Sequence, residues 1–137
     1  MLSENTENVS GFSITIAPRF YETDALGHIN NAAIAAWMEL VRMEFIASLS
    51  RTDSGDAHSW ILASLQIDFI AETFFGSDVT AKVTEAAAGN TSLSVYCELF
   101  QNERLTVKSK AVVVFMDSKT NSPTRLPDTL REQLRSR

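Results

Sequence analysis

The sequence predicts an α+β domain in which one antiparallel sheet wraps around a single long helix, and three observations carry the prediction. Apolar residues recur at helical spacing across residues 31–50. Four later segments alternate apolar and polar residues with the period of strands. Gly89-Asn90 and Gln101-Asn102 separate consecutive alternating segments, so those neighbours should pair antiparallel as a meander. A chain of 137 residues, 45% apolar and 21% charged, suits one domain with its own core.

Taken in order, residues 1–11 are polar and read as a loose tail before a single domain over 12–137. Residues 12–21 (FSITIAPRFY) alternate as a strand, with Pro18 marking an edge or a bulge. Residues 22–30 (ETDALGHIN) carry turn chemistry. The helix over 31–50 then places Ile34, Trp37, Met38, Val41, Phe45 and Leu49 on one face. Asn30 suits its N-cap, because its side chain can accept a hydrogen bond from an orphan amide. Only Glu39, Arg42 and Glu44 interrupt the helix with charge, which predicts a largely buried element.

Residues 51–58 form a polar loop. The next strand, over 60–71, should present Ile61, Ala63, Leu65, Ile67, Phe69 and Ala71 on one face. Val79, Ala81 and Val83 alternate in the third strand; Leu93, Val95, Cys97 and Leu99 alternate in the fourth. Residues 105–116 alternate in the fifth, with Lys108 and Lys110 opposite Val107. Pro123 and Pro127 bracket an exit into a short helix over 126–134. A five-stranded sheet around one apolar helix leaves edges in need of cover, which a second subunit would supply.

Composition narrows the function. A net charge of −5 with no basic stripe argues against nucleic acid as a partner. No apolar run is long enough to span a membrane, and the N-terminus lacks a signal-peptide pattern. The single Cys97 fits a reducing cytoplasm, and mid-strand on the apolar face it reads as a core residue. There is no Gly-x-Ser-x-Gly elbow, no P-loop and no Gly-x-Gly-x-x-Gly after a strand. His28 and His58 lack metal-ligand spacing.

What remains is residues 19–42, RFYETDALGHINNAAIAAWMELVR, where a carboxylate, a glycine turn, a histidine and two asparagines precede a helix. A helix start offers unpaired amides and partial positive charge, suited to a carbonyl oxygen on which charge develops. A nearby carboxylate can activate water or attack the carbonyl. The two suffice to hydrolyse an activated acyl group without metal or serine.

Asp24, Gly27, His28, Asn30, Asn31, Glu39 and Arg42 stand in the register Asp-x-x-Gly-His-x-Asn-Asn followed by a helical Glu-x-x-Arg. This resembles the hotdog thioesterases of the 4-hydroxybenzoyl-CoA thioesterase type, especially their long-chain acyl-CoA branch. Residues 67–80 (IDFIAETFFGSDVT) and 126–134 (LPDTLREQL) resemble the family's second strand with its following turn, and its usual ending. Two positions depart from the family pattern. Ile34 replaces an aromatic, with consequences for the acyl pocket, and Glu72-Thr73 replaces a proline, with consequences for a loop only.

The resemblance implies an acyl-CoA thioesterase of fatty acid metabolism, with no cofactor beyond the coenzyme A of the substrate. It implies Asp24 as general base or nucleophile, the backbone amide near Asn31 as oxyanion donor, and His28 beside them. Gly27, Asn30 and Glu39 would surround the substrate, in a homodimer or homotetramer with sites at the subunit interface. Bland readings stand beside these. Asp24 could cap a turn, Gly27 permit one, His28 fix a loop, Asn30 and Asn31 cap the helix, and Glu39 pair with Arg42. Arg19, Lys82, Arg104, Lys108 and Lys110 are unranked candidates for the coenzyme A phosphates. Rival functions are an acyl-thioester hydratase or dehydratase, a non-catalytic acyl-CoA-binding regulator, and a thioesterase for acyl-carrier proteins.

Overall fold

The computed structural model describes residues 11–49 and 58–135. Strand β1 is Ser13–Ile16, and a 3-10 turn follows at Phe20–Glu22. Helix α1 is Asn31–Leu49, then come β2 (His58–Phe69), β3 (Val79–Ala88), β4 (Ser92–Gln101) and β5 (Arg104–Asp117). A two-residue strand β6 (Ser122–Pro123) and helix α2 (Asp128–Arg135) complete the order. The main sheet is antiparallel in the order β1-β3-β4-β5-β2, with β6 added beside β5. This is the hotdog arrangement, enlarged by the short β6. Of the tail expected over 1–11 and the loop expected over 51–58, residues 1–10 and 51–57 lie outside the described residues, and His58 begins β2.

The core lies between α1 and one face of the sheet. Ile34, Trp37, Met38, Val41, Phe45 and Leu49 pack against Val79, Val83, Leu93, Val95, Leu99 and Val107. Burying each large side chain contributes about 1.5–3 kcal/mol. The opposite face of α1 is open: Ala32, Ala36, Glu39, Leu40 and Met43 are exposed. The helix is therefore half buried, not largely buried as its few charges suggest. Residues at i and i+4 share a face, so the open stripe is a second surface in its own right.

Three strand expectations need correction. The first strand stops at Ile16, because Pro18 cannot donate to a ladder and the chain then turns at Phe20–Glu22. In β2 the pairing with β5 slips between Leu62 and Ser64, a bulge at Ala63. One extra residue reverses which parity faces inward. Trp60 and Leu62 oppose the inward Phe115 and Val113 before the bulge, and Leu65 opposes the inward Ala111 after it. Ile61 accordingly lies on the outer face, away from Leu65 and Ile67. In the third case, Gln101 is no turn residue. It ends β4 and is buried, while Asn102 and Glu103, at φ 53° and 65°, make the turn.

The edge strand β2 leaves Ile61, Leu62, Leu65 and Phe69 exposed, and Ile70, Phe74 and Phe75 continue the apolar surface beyond it. A single chain of this size seldom exposes so many neighbouring large apolar side chains.

Candidate active site

The segment between the 3-10 turn and α1 is a small hydrogen-bonded loop. The Arg19 amide donates to Glu22 Oε1 at 2.8 Å, and Thr23 bridges Ile29. Within the loop, the Asp24 amide donates to the His28 carbonyl at 2.7 Å. Asp24 Oδ1 accepts from the Leu26 amide at 2.8 Å and the His28 amide at 3.0 Å. Gly27 sits at φ +84°, which L side chains rarely adopt, so it is required by its backbone conformation and not by crowding. The turn-capping reading of Asp24 is thus correct for one oxygen. Its Oδ2 has no hydrogen-bond donor among the described residues, and the side chain is 41% exposed.

His28 lies near two carboxylates. Its Nδ1 lies 3.2 Å from Glu72 Oε1 and 3.9 Å from Asp24 Oδ2. Its ring meets the Phe74 ring edge-on at 5.0 Å. Nδ1 thus faces Glu72 more closely than Asp24. Glu72 occupies a departure from the family pattern that sequence reasoning assigns to a loop alone. It also holds a histidine of the candidate site.

At the start of α1, Asn30 Oδ1 accepts from the Ala33 amide at 2.7 Å, as an N-cap should. The Asn30 amide and Nδ2 both donate to the Glu22 carbonyl, at 2.8 and 2.9 Å. Glu22 Oε2 in turn accepts from Trp37 Nε1 at 3.1 Å, tying the loop to the second turn of the helix. The Asn31 and Ala32 amides have no acceptor among the described residues. They are the unsatisfied donors at the positive end of the helix. Asn31 lines a cleft of about 420 Å³ with Phe69, Ile70, Ala71, Glu72 and Arg104. Because Glu72 both lines this cleft and meets His28, the cleft adjoins the Asp24 loop.

Asp24, Gly27, His28, Asn30 and Asn31 therefore come together, and Glu39 does not join them. Glu39 lines a separate cleft of about 110 Å³ with Arg42, Met43, Ile46, Trp60, Leu62 and Val113. It forms no ion pair within 4.0 Å with Arg42 among the described residues. Burial lowers the Arg42 pKa, and Glu39, then Cys97, oppose the shift. Burial pushes the Cys97 thiol up to about 12, against the pull of Arg42 and a hydrogen bond with Ser109. Cys97 is thus the inert core thiol expected. Ile34 is buried in the core. Of the basic candidates, Arg104 alone lines the Asn31 cleft, while Lys82 and Lys110 lie over the Phe100 and Tyr96 rings. No cluster of three His, Cys, Asp or Glu side chains that could hold a metal occurs among the described residues.

Sequence reasoning missed Glu22, Glu72 and Gln101. Gln101 Nε2 donates to the Phe74 and Ser77 carbonyls at 2.7 and 2.9 Å, and its Oε1 accepts from the Phe74 amide at 2.9 Å. A polar residue ending an apolar alternation is the available signal for it.

Comparison with known proteins agrees with this architecture. A predicted thioesterase from Bacillus stearothermophilus is 33% identical, superposes with a TM-score of 0.82, and the match covers 91% of this chain and 94% of that one. A thioesterase from Thermus thermophilus, complexed with coenzyme A and Zn, is 26% identical with a TM-score of 0.79, over 90% of this chain and 91% of that one. Uncharacterized protein YsmA of Bacillus subtilis (strain 168) is 27% identical over 81 residues, 59% of this chain and 55% of that protein. The family description "Thioesterase-like superfamily" matches residues 18–134. The chain, from Pro18 to Leu134, belongs to the thioesterase-like superfamily.

Proposed function

We propose that this protein hydrolyses the thioester of acyl-coenzyme A, with Asp24 as the acting carboxylate. The observation that carries the proposal is the division of labour in Asp24: Oδ1 is held by two amides, and Oδ2 is left without a donor among the described residues. Close by in the chain, the Asn31 and Ala32 amides, which have no acceptor among the described residues, suit the build-up of charge on a thioester oxygen. In the hydrolysis, water adds to the acyl carbon directly, with Asp24 taking its proton, or after Asp24 has formed an anhydride. In the first route the carbon–sulfur bond breaks as the tetrahedral adduct collapses, and the proton taken by Asp24 passes to the leaving sulfur. In the second it breaks when the anhydride forms, the thiolate takes a proton from solvent, and water then cleaves the anhydride to the free acid and the Asp24 carboxylate. The relative crystallised with coenzyme A, similar over most of its length, supports coenzyme A as the carrier.

We further propose a homodimer joined along β2. Leu62, Leu65 and Phe69 share the inner face of that edge, and a second copy would cover them together with the exposed Leu40 and Met43 of α1. The Glu39 cleft opens beside the same edge, so each subunit would supply part of its partner's acyl pocket.

The test is thiol release from a panel of acyl-CoAs, short, long and aromatic, by wild type and Asp24→Asn. The asparagine keeps an acceptor for the loop amides and removes the base. It should lower kcat by about 10²–10⁴ with the fold intact. Undiminished turnover by the variant would remove Asp24 from the mechanism; binding without turnover by wild type would make the chain a binding protein.

A further inference from the structure

We infer that Gln101, remote in sequence from the catalytic loop, is the positioning residue that sets His28 and the Asp24 loop against the cleft. Gln101 is 5% exposed at the end of β4. A buried amide side chain requires partners for its polar atoms, and both of its partners lie in the segment after β2.

The Asp24 loop and the segment after β2 meet in a short ladder. His28 and Phe74 form an isolated antiparallel bridge. Its hydrogen bonds are made by the flanking residues: the Ile29 amide donates to the Thr73 carbonyl at 2.7 Å, and the Phe75 amide to the Gly27 carbonyl at 3.5 Å. In such a pair the central residues' own N–H and C=O point outward, away from each other. The Phe74 amide and carbonyl therefore need partners on the other side, in a part-buried setting. The Gln101 side chain meets both, donating to the carbonyl and accepting from the amide, and its second N–H reaches the Ser77 carbonyl. It acts as a third strand one residue long.

Phe74 is thereby fixed on both sides, and its ring sets the His28 ring at 5.0 Å. The same segment carries Glu72, which meets His28 Nδ1. Loss of the three bonds frees residues 72–77 to shift and carries His28 and the 24–29 loop along. A misplacement of about 1 Å in a reacting group can cost about 10²-fold in rate.

Two variants test the inference. Gln101→Met keeps the volume and removes every bond; Gln101→Glu keeps the acceptor and removes the donors. The chain has two histidines, so His58→Gln assigns the remaining ring proton signal in an NMR spectrum to His28. The expected result for a folded Gln101→Met is a displaced His28 signal, kcat reduced by about 10–100-fold, and KM changed far less. For Gln101→Glu, kcat relative to wild type should recover as pH falls, because protonating the introduced carboxyl restores a donor. A His28 signal and kcat both unmoved in either folded variant would overturn the inference, as would a loss confined to KM. The kinetic arm rests on the thioesterase reading above, and the NMR arm does not. A displaced signal in a protein without turnover would therefore uphold the positioning role and remove only the proposed function.

Discussion

Single residues here answer to two demands at once. Asp24 shapes its own loop with one oxygen and leaves the other without a hydrogen-bond donor among the described residues, and Glu22 braces the loop through its carbonyl while its carboxylate holds Trp37. Cys97 answers to one demand only, and it carries a testable pH dependence. Its thiol is pushed up to about 12 by burial, so the folded state keeps a proton that the unfolded chain releases at lower pH. The unfolded state then binds fewer protons, and stability falls as pH rises between about 8.5 and the folded value, by about 1.4 kcal/mol per unit at most. Urea titrations at pH 8 and 10 should show this loss, and Cys97→Val should remove it. Iodoacetamide should leave the folded thiol unmodified at neutral pH. The site residues are legible in the sequence where they are contiguous: Asp24 to Asn31 span a single turn and the first residue of a helix, and their spacing is their geometry. Glu72, in the segment after β2, and Gln101, at the end of β4, bear on the same site from elsewhere in the chain. A side chain bonded to backbone 27 positions away leaves only the weak trace of a polar residue ending an apolar alternation, which does not name its partner.

At the scale of elements, the helix is legible almost to the residue, because its period and its cap agree. The cap has a measurable worth. Asn30→Ala removes the bond to the Ala33 amide and the one to the Glu22 carbonyl. It should destabilise the fold by about 1 kcal/mol or somewhat more, seen as a lowered urea midpoint at unchanged slope. An unchanged midpoint would mean that another group replaces the cap. The strands are legible as strands, and the faces of β2 are not. Alternation extends through Ala63 in the sequence, where the ladder slips by one residue. Ile61 and Leu65 look equivalent in a period-two pattern, and only the pairing with β5 shows that they face opposite ways. Gln101 reads as a turn residue because it precedes Asn102, yet the left-handed conformations fall on Asn102 and Glu103.

The whole molecule presents an unsatisfied surface. The edge strand, the segment after it and α1 all expose large apolar side chains; Leu62 and Met43 line one cleft, and Phe69 and Ile70 the other. If this surface joins two copies, Leu65→Lys places a charge at the seam. Sedimentation should then move from dimer toward monomer, and thiol release should fall with it. A variant that stays dimeric and active would relocate the interface. The bulge at Ala63 has a consequence of another kind, for insertions and deletions. Because it joins two half-strands of opposite parity, changing the side chain at that position alters little. Removing the residue would restore unbroken alternation and turn either Trp60 with Leu62, or Leu65 with Ile67 and Phe69, inside out. At this position the number of residues is thus fixed more tightly than the identity of the side chain.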